Sequence, residues 1–513
     1  MRVKVFRWNR ANLPLWVFVG FFLLYLISSS GGFESGDALV RYETAKSILA
    51  GKGGALPPNE EWNSTVRVSS GKVFSTYGPM QSLLMLPSMM VVDKLPISER
   101  AKDGANRLWF NLVILPLVSA LTLVLLYEAL GLMGFTPFLA TLTVLTVGMA
   151  TPFWHYARSA QEENMVALGF SAWLLGMILF NIGRRGGLLL ACSGACFALA
   201  TRYAAVACLL PMAIATSYFI GRRWRLLDKK ELTASVMICA VVVLSLLAYN
   251  HYRFGSYGET GYGLFYRHAA VPFFSFVQAP ARALILLFSP YRGLFFYVPA
   301  FVFVVIAVFM NWRRLSLLEW TGIAAMLGAL VMNSGFYYWN AGHSWGPRLL
   351  VAPLLLLSPL FARFYQKFAL TSWWKPVVTL SVVVQLASIA LPSSTEDIIR
   401  ERAEVAPLVL ANAWKCDYSA VCLRPKLVVR ALINTVMNHP GMTIDQGTKS
   451  MKNALESSDY RTLFWWPFRF SFRFGYFNRY IAIFITGIFA AVSLSILFTA
   501  LRISRSSFSL RSA

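Results

Sequence analysis

The side chains that could do transfer chemistry in this sequence lie next to long apolar runs. Asp37, in Gly36-Asp37-Ala38-Leu39-Val40-Arg41-Tyr42, follows the first such run by a few residues. A partly desolvated carboxylate there can accept a proton from a hydroxyl or an amine. It also reads as a helix N-cap, favoured by the N-terminal dipole, and the two readings are compatible. Glu162 and Glu163, in Ala157-Arg158-Ser159-Ala160-Gln161-Glu162-Glu163-Asn164, form a second acidic point. Glu162 fits a solvated turn. Glu163, near Arg158, suits positioning of an acceptor, with binding of a divalent metal ion as the alternative.

Two cations complement these acids. Arg202 sits inside an apolar run, where it must face a cavity or a partner, Glu163 being one conceivable mate. Asn340-Ala341-Gly342-His343-Ser344-Trp345-Gly346-Pro347-Arg348 brings Arg348 to the start of another run, and a guanidinium suits bidentate contact with phosphate. His343 reads as an interfacial hydrogen-bonding residue. Aromatics alternate from Pro467 to Phe474 as in an interfacial belt, with Arg469 and Arg473 on lipid phosphate as the alternative. The sequence has no Walker loop, dinucleotide glycine motif or zinc spacing, which argues against nucleotide-driven pumping by this chain.

The elements that must hold these residues follow from composition. The 513 residues are 57% hydrophobic and only 14% charged, with a net charge of +24 and a mean hydropathy of +0.57. A water-soluble globule of this length would carry far more charged surface. The basic residues fall between apolar runs rather than on one folded module, so they read as the positive-inside signal and not as a nucleic-acid face.

Apolar runs place helices near 12–30, 108–131, 136–154, 164–181, 187–220, 232–250, 294–311, 317–335, 348–363, 374–392 and 478–501. The run 187–220 is too long for one span and has arginines at both ends, so it divides near Arg202, making about twelve spans. Parity then puts Arg184, Arg223, Arg313, Arg363 and the C-terminal tail inside, and segments 31–107, 251–293 and 393–477 outside. The first run follows Arg2, Lys4, Arg7 and Arg10 and reads as a retained signal anchor. Within the first outer segment, Ala38–Ala50 and Met80–Val92 are too short to span and read as surface helices. The expected fold is an all-α polytopic membrane protein: residues 1–392 form one transmembrane unit, 393–477 an extracytoplasmic segment, and 478–513 a final helix and basic tail. Cys192, Cys196, Cys208 and Cys239 read as small buried apolar residues, while Cys416 and Cys422 are candidates for a disulfide on an oxidising side.

In this order the motifs resemble the GT-C polytopic glycosyltransferases, specifically family-39-like enzymes that use polyprenyl-phosphate sugars. Asp37 with Arg41-Tyr42 resembles the family's first-loop aspartate motif, and Ser75-Thr76-Tyr77-Gly78-Pro79 the Tyr-Gly/Pro-Pro segment. Arg158 through Glu163 is similar to the second-loop acid motif, and Arg202-Tyr203 to the basic residue of the broken helix pair. Arg253-Phe254-Gly255, Gly261-Tyr262, Ser289 to Leu294 and Ser344 to Arg348 resemble further signatures. Many relatives carry Lys where this chain has Thr76, so Lys72 is the candidate replacement.

The resemblance implies a GT-C-like bundle and an inverting transfer of sugar from a polyprenyl-phosphate donor to a glycan, lipid or protein acceptor. It implies Asp37 as general base, Glu163 beside it, and Arg348, Arg202 and Lys72 on the donor phosphate. Tyr42, Tyr77, Arg158, Glu162, His343 and Trp345 would line the pocket. The setting it implies is a bacterial inner membrane with the site facing the periplasm. The competing reading is a lipid or solute transporter with the same charged residues along a path; the lack of an internal repeat and the gathering of acids at one face count against it.

Overall fold

In a computed structural model, residues 12–58, 64–342, 344–392, 395, 409–437, 462–472, 475 and 478–509 are described. His343 and most of 393–477 lie outside that set. The chain folds as helices in the order α1 (Leu13–Ser28), α2 (Gly36–Leu49), α3 (Met80–Val92), α4 (Glu99–Trp109), α5 (Leu115–Leu132), α6 (Pro137–Met149), α7 (Phe153–Tyr156), α8 (Glu163–Asn181), α9 (Gly187–Thr201) and α10 (Val206–Arg223). Next come α11 (Lys229–Phe254), α12 (Tyr262–His268), α13 (Ala279–Phe288), α14 (Leu294–Tyr297), α15 (Phe301–Asn311), α16 (Leu317–Gly335), α17 (Val351–Leu356), α18 (Ser358–Phe368) and α19 (Trp374–Ile389). Further helices run over Ala420–Met437 and Arg479–Ser509.

Every apolar run read from the sequence is helical. Among the described residues six helices are long and apolar enough to cross a membrane, or seven with the pair from Arg348 to Phe368, which bends by 61°, counted as one span, fewer than the twelve expected. The others are shorter because prolines and polar turns cut them: 294–311 is broken between α14 and α15, where Val298-Pro299 intervenes. α11 buries only 11% of its most apolar window, whereas α8 buries 89%. Thus α8 is a central strut and α11 has most of its surface free for lipid.

Close packing of α8 on α9 registers the site. A Cβ on Gly169 would lie 2.5 Å from the Gly194 carbonyl oxygen, and one on Gly194 would lie 2.5 Å from that of Gly169. Small residues therefore let the two backbones touch, as in many membrane helix pairs. α8 spans about 28 Å, so its N-terminus and its C-terminus lie at opposite ends of the bundle. The helix Arg479–Ser509 returns to pack on α1, where Ser493 donates to the Gly20 carbonyl at 2.9 Å.

The first outer segment holds an element that periodicity did not show, a small antiparallel sheet of β1 (Ala55–Leu56), β2 (Thr65–Arg67) and β3 (Val73–Ser75) in the order β1-β3-β2. Its strands have two or three residues each, too few for an alternation to register. β3 runs directly into Tyr77 and Gly78, and so carries this segment toward the end of α9. The described parts of 393–477 cap the same end: Arg424 donates to the Pro392 carbonyl at 2.6 Å and lies over the Trp345 ring. Cys416 and Cys422 are joined as a disulfide.

Candidate functional site

Asp37 occupies the first turn of α2, and Ser35 takes the cap, its hydroxyl accepting from the Ala38 amide at 3.3 Å. Because Ser35 satisfies the helix end, the Asp37 carboxylate is left to face outward from the turn. Glu163 is the first residue of α8, and Arg202 is an extended residue (φ −149°, ψ 116°) between α9 and the 3-10 turn Tyr203–Ala205. Arg348 opens the broken helix that begins α17. Residues separated by up to 311 positions thus meet at one end of the bundle.

Arg348 joins the two acids. Its Nη1 donates to Asp37 Oδ2 at 3.0 Å and its Nε to Glu163 Oε1 at 2.5 Å. Arg202 stands 3.5 Å from both Glu162 and Glu163, and Arg41 pairs with Glu162. Three carboxylates therefore interlock with three guanidiniums. Exposure divides them: the Asp37 side chain is 21% accessible, that of Arg202 17% and that of Glu163 0%. Asp37 and Arg202 can meet a ligand, while Glu163 acts from beneath as an anchor for both arginines.

Tyr77 is buried beside Asp37. Its hydroxyl hydrogen-bonds Asp37, and Arg41 stacks over its ring at 3.9 Å. Burial alone would raise the Asp37 pKa, but Arg348, Arg41 and these hydrogen bonds outweigh it and lower it to about 2. The Tyr77 phenol is pushed well up, first by burial and then by Asp37. Tyr262, from the second outer segment, is also raised by burial, feels Arg202 and Asp37, and hydrogen-bonds Thr76. Thr76, next to Tyr77, is thus engaged by Tyr262 rather than by a cation.

Other arginines position these groups. Arg253 donates to the Ser75 carbonyl at 2.7 Å and to the Tyr203 hydroxyl at 3.0 Å, tying the Tyr77 segment to the Arg202 break. Arg292 donates to the Gly342 carbonyl at 2.7 Å and to that of Ser344, shaping the turn before Arg348.

Several residues expected in the pocket lie elsewhere. Tyr42 is five residues past Asp37, a rotation of about 140° around the helix, and its hydroxyl instead donates to Asp103 at 2.8 Å. Arg158 is fully buried, bridging Glu34 at 2.5 Å and the Ile389 carbonyl, and so latches the first outer segment to the end of α19. Trp345 is buried against Tyr297 and donates to Gln385 at 3.2 Å, which makes it a support for the Arg348 turn. Lys72 is exposed in the turn between β2 and β3, with no contact to the acids among the described residues. Arg41 and Tyr262 join the site although the sequence marks them only as members of motifs and assigns them no role. Arg41 had a signal, since four residues after Asp37 returns to the same helical face; Tyr262 had none beyond its motif.

Among the described residues no group of three His, Cys, Asp or Glu side chains is arranged to hold a metal ion. The three carboxylates are each directed at an arginine, a donor set poorly suited to a second cation.

No known family profile matches the sequence, and no curated protein matches it. Among solved structures, ArnT from Cupriavidus metallidurans bound to undecaprenyl phosphate is similar over 89% of this chain and 83% of its own, with 13% identity and a TM-score of 0.44. The apo state of that protein is similar over 88% of this chain and 82% of its own, with 14% identity and a TM-score of 0.40. Arabinosyltransferase EmbB from Mycobacterium smegmatis is similar over 97% of this chain with 12% identity and a TM-score of 0.42, and this chain spans 42% of that longer protein.

Proposed function

We propose that the protein is an inverting GT-C-type glycosyltransferase, moving a sugar from a polyprenyl-phosphate carrier to a glycan, lipid or protein acceptor at the outer face of a bacterial inner membrane. The observation that carries this reading is Arg348, which bridges an accessible Asp37 and a buried Glu163 beside Arg202. An acid that can reach an acceptor thus adjoins guanidiniums that can neutralise a phosphate.

In the reaction an acceptor hydroxyl attacks the anomeric carbon from the face opposite the phosphate. The bond from that carbon to the phosphate oxygen breaks, the hydroxyl proton passes to Asp37, and polyprenyl phosphate leaves with one more negative charge than it had as a diester. Arg348 and Arg202 face that developing charge. As the phosphate draws Arg348 toward itself, Asp37 loses part of the contact that holds its proton affinity down, so its basicity rises when the acceptor needs it. Glu163 holds Arg348 and Arg202 in register and, being buried, is a positioning residue. The lipid tail can stay in the hydrocarbon while the headgroup enters at the interface.

The test is transfer from a labelled polyprenyl-phosphate sugar in vesicles holding the full-length protein. Asp37→Asn is expected to lower the rate about 10²–10⁴-fold, the usual worth of a general base. Unchanged transfer by that variant overturns the assignment, and movement of label across the membrane with no new glycosidic bond points to transport instead.

A further inference from the structure

Three of the four cysteines outside the disulfide meet at one point that the transfer chemistry leaves unused. α9 presents Cys192 and Cys196, and α11 presents Ser235 and Cys239, each pair four residues apart and so on one helical face. The two faces oppose each other. Cys196 Sγ lies 3.6 Å from Cys239 Sγ, and Cys192 hydrogen-bonds both Cys239 and Ser235. Cys208, the fourth, stands apart and donates to the Ala325 carbonyl at 3.5 Å. Packing of α9 on α11 accounts for small side chains at this contact. It does not call for two sulfurs of one helix to reach the same sulfur of the other.

Depth decides what can react with these thiols. Cys239 lies about 15 Å from one end of α11 and about 22 Å from the other, where a water-soluble thiol oxidant does not reach. α11 has most of its surface free for lipid, and Cys239 is only half-buried. An oxidant dissolved in hydrocarbon therefore meets Cys239 first, with the buried Cys196 in contact behind it. Closing the gap to a bond of about 2.05 Å needs side-chain rotation and a small approach of the helices. We propose that Cys196 and Cys239 form a redox site within the membrane, oxidised to a disulfide by a lipid-soluble quinone. Two sulfur–hydrogen bonds break and one sulfur–sulfur bond forms; the two electrons and two protons pass to the quinone, which becomes the hydroquinone. Cys192 can stand in for Cys196, because it too contacts Cys239. The staple joins the helix that ends at Arg202 to the helix that carries Asn250 and Arg253, which already meet at the Tyr203 hydroxyl. Closing that loop also restricts the unfolded chain and so stabilises the fold.

The experiment places the purified full-length protein in phosphatidylcholine vesicles and adds either decylubiquinone, whose fully substituted ring offers no free position to a thiol, or oxidised glutathione. Free thiols after denaturation, and the linked peptides, are read by mass spectrometry. The quinone is expected to remove two of the four free thiols, to link Cys196 with Cys239 and to raise the melting temperature; oxidised glutathione is expected to remove none. Cys196→Ala is expected to move the link to Cys192 and Cys239, Cys239→Ala to abolish it, and Cys208→Ala to leave it unchanged. Should Cys239→Ala not fold, Cys239→Ser keeps a small polar side chain there, and loss of the link is again expected. None of these readings uses sugar transfer, so they stand apart from the assignment of Asp37. The proposal is overturned if the quinone leaves all four thiols free, if oxidised glutathione forms the same link, if Cys208 enters the link, or if the link survives removal of the Cys239 thiol.

Discussion

Asp37 is an ion before it is a base. Its folded pKa lies near 2, below the ordinary carboxylate value of 3.8, so its ion pairs add stability that is present above the unfolded value and lost as pH falls toward 2. In the resting protein the carboxylate is therefore ionised across the working pH range. If donor phosphate takes a share of Arg348, the Asp37 pKa rises in the complex. The acid limb of kcat is then expected at higher pH than that of kcat/KM, by about one unit, because the former reports the complex and the latter the free protein. Coincident limbs in a pH–rate profile would count against sharing of Arg348. The same arginine meets its two acids through different nitrogens, Nε and Nη1. Lys has one compact head and cannot span both, so Arg348→Lys is expected to lower kcat by about 10–10²-fold in the same transfer assay despite the retained charge. A variant with wild-type kcat would mean that charge alone suffices.

At the scale of elements, the site depends on how closely the Tyr77 segment meets the broken end of α9. A Cβ on Gly78 would fall 2.4 Å from the Ala200 carbonyl oxygen and 2.6 Å from that of Thr201. Neither is a flexible side chain that can step aside. Gly78→Ala is expected to push Tyr77 off Asp37 and to cost about 1–3 kcal/mol of stability, read as a lower melting temperature together with a higher KM. A variant as stable as wild type, with an unchanged KM, would show that this contact does not position Tyr77. The helix-to-helix contacts act in the same way: Gly169 against Gly194 sets the height of α9 on α8, and with it the position of Arg202 relative to Glu163.

Across the whole molecule, α8 separates two charged ends of different kind. At its N-terminus acids and arginines balance in a partly buried cluster; at its C-terminus exposed arginines dominate. If the chain spans a membrane as its apolar helices require, these ends face different compartments. A membrane-impermeant thiol reagent is expected to label a cysteine placed at Ser98, beside the acidic end, from outside intact cells. A cysteine at Arg313 should be labelled only after permeabilisation. Labelling of both from one side would overturn the two-sided arrangement.

Much of this was legible in the sequence for a physical reason. Apolar runs must become helices in a bilayer, since no other open structure satisfies the backbone there, so the helices of the bundle, those of the first outer segment and the division at Arg202 follow from residue order, whereas the number long enough to span, six or seven among the described residues rather than twelve, does not. Ser35 as the cap of α2 needed only a closer look at local chemistry. Contacts between distant segments are another matter. That Arg348 reaches both Asp37 and Glu163, that Arg158 turns to Glu34, and that Trp345 supports rather than lines the pocket depend on which helix faces meet. Those faces are set by glycine contacts and by arginines bonded to carbonyls far away in the chain. Residue types and spacing determined that acids and cations would gather at one end of a helical membrane bundle; only tertiary packing decided which of them touch, because in apolar surroundings a charge takes the partner that the surrounding helices bring within reach.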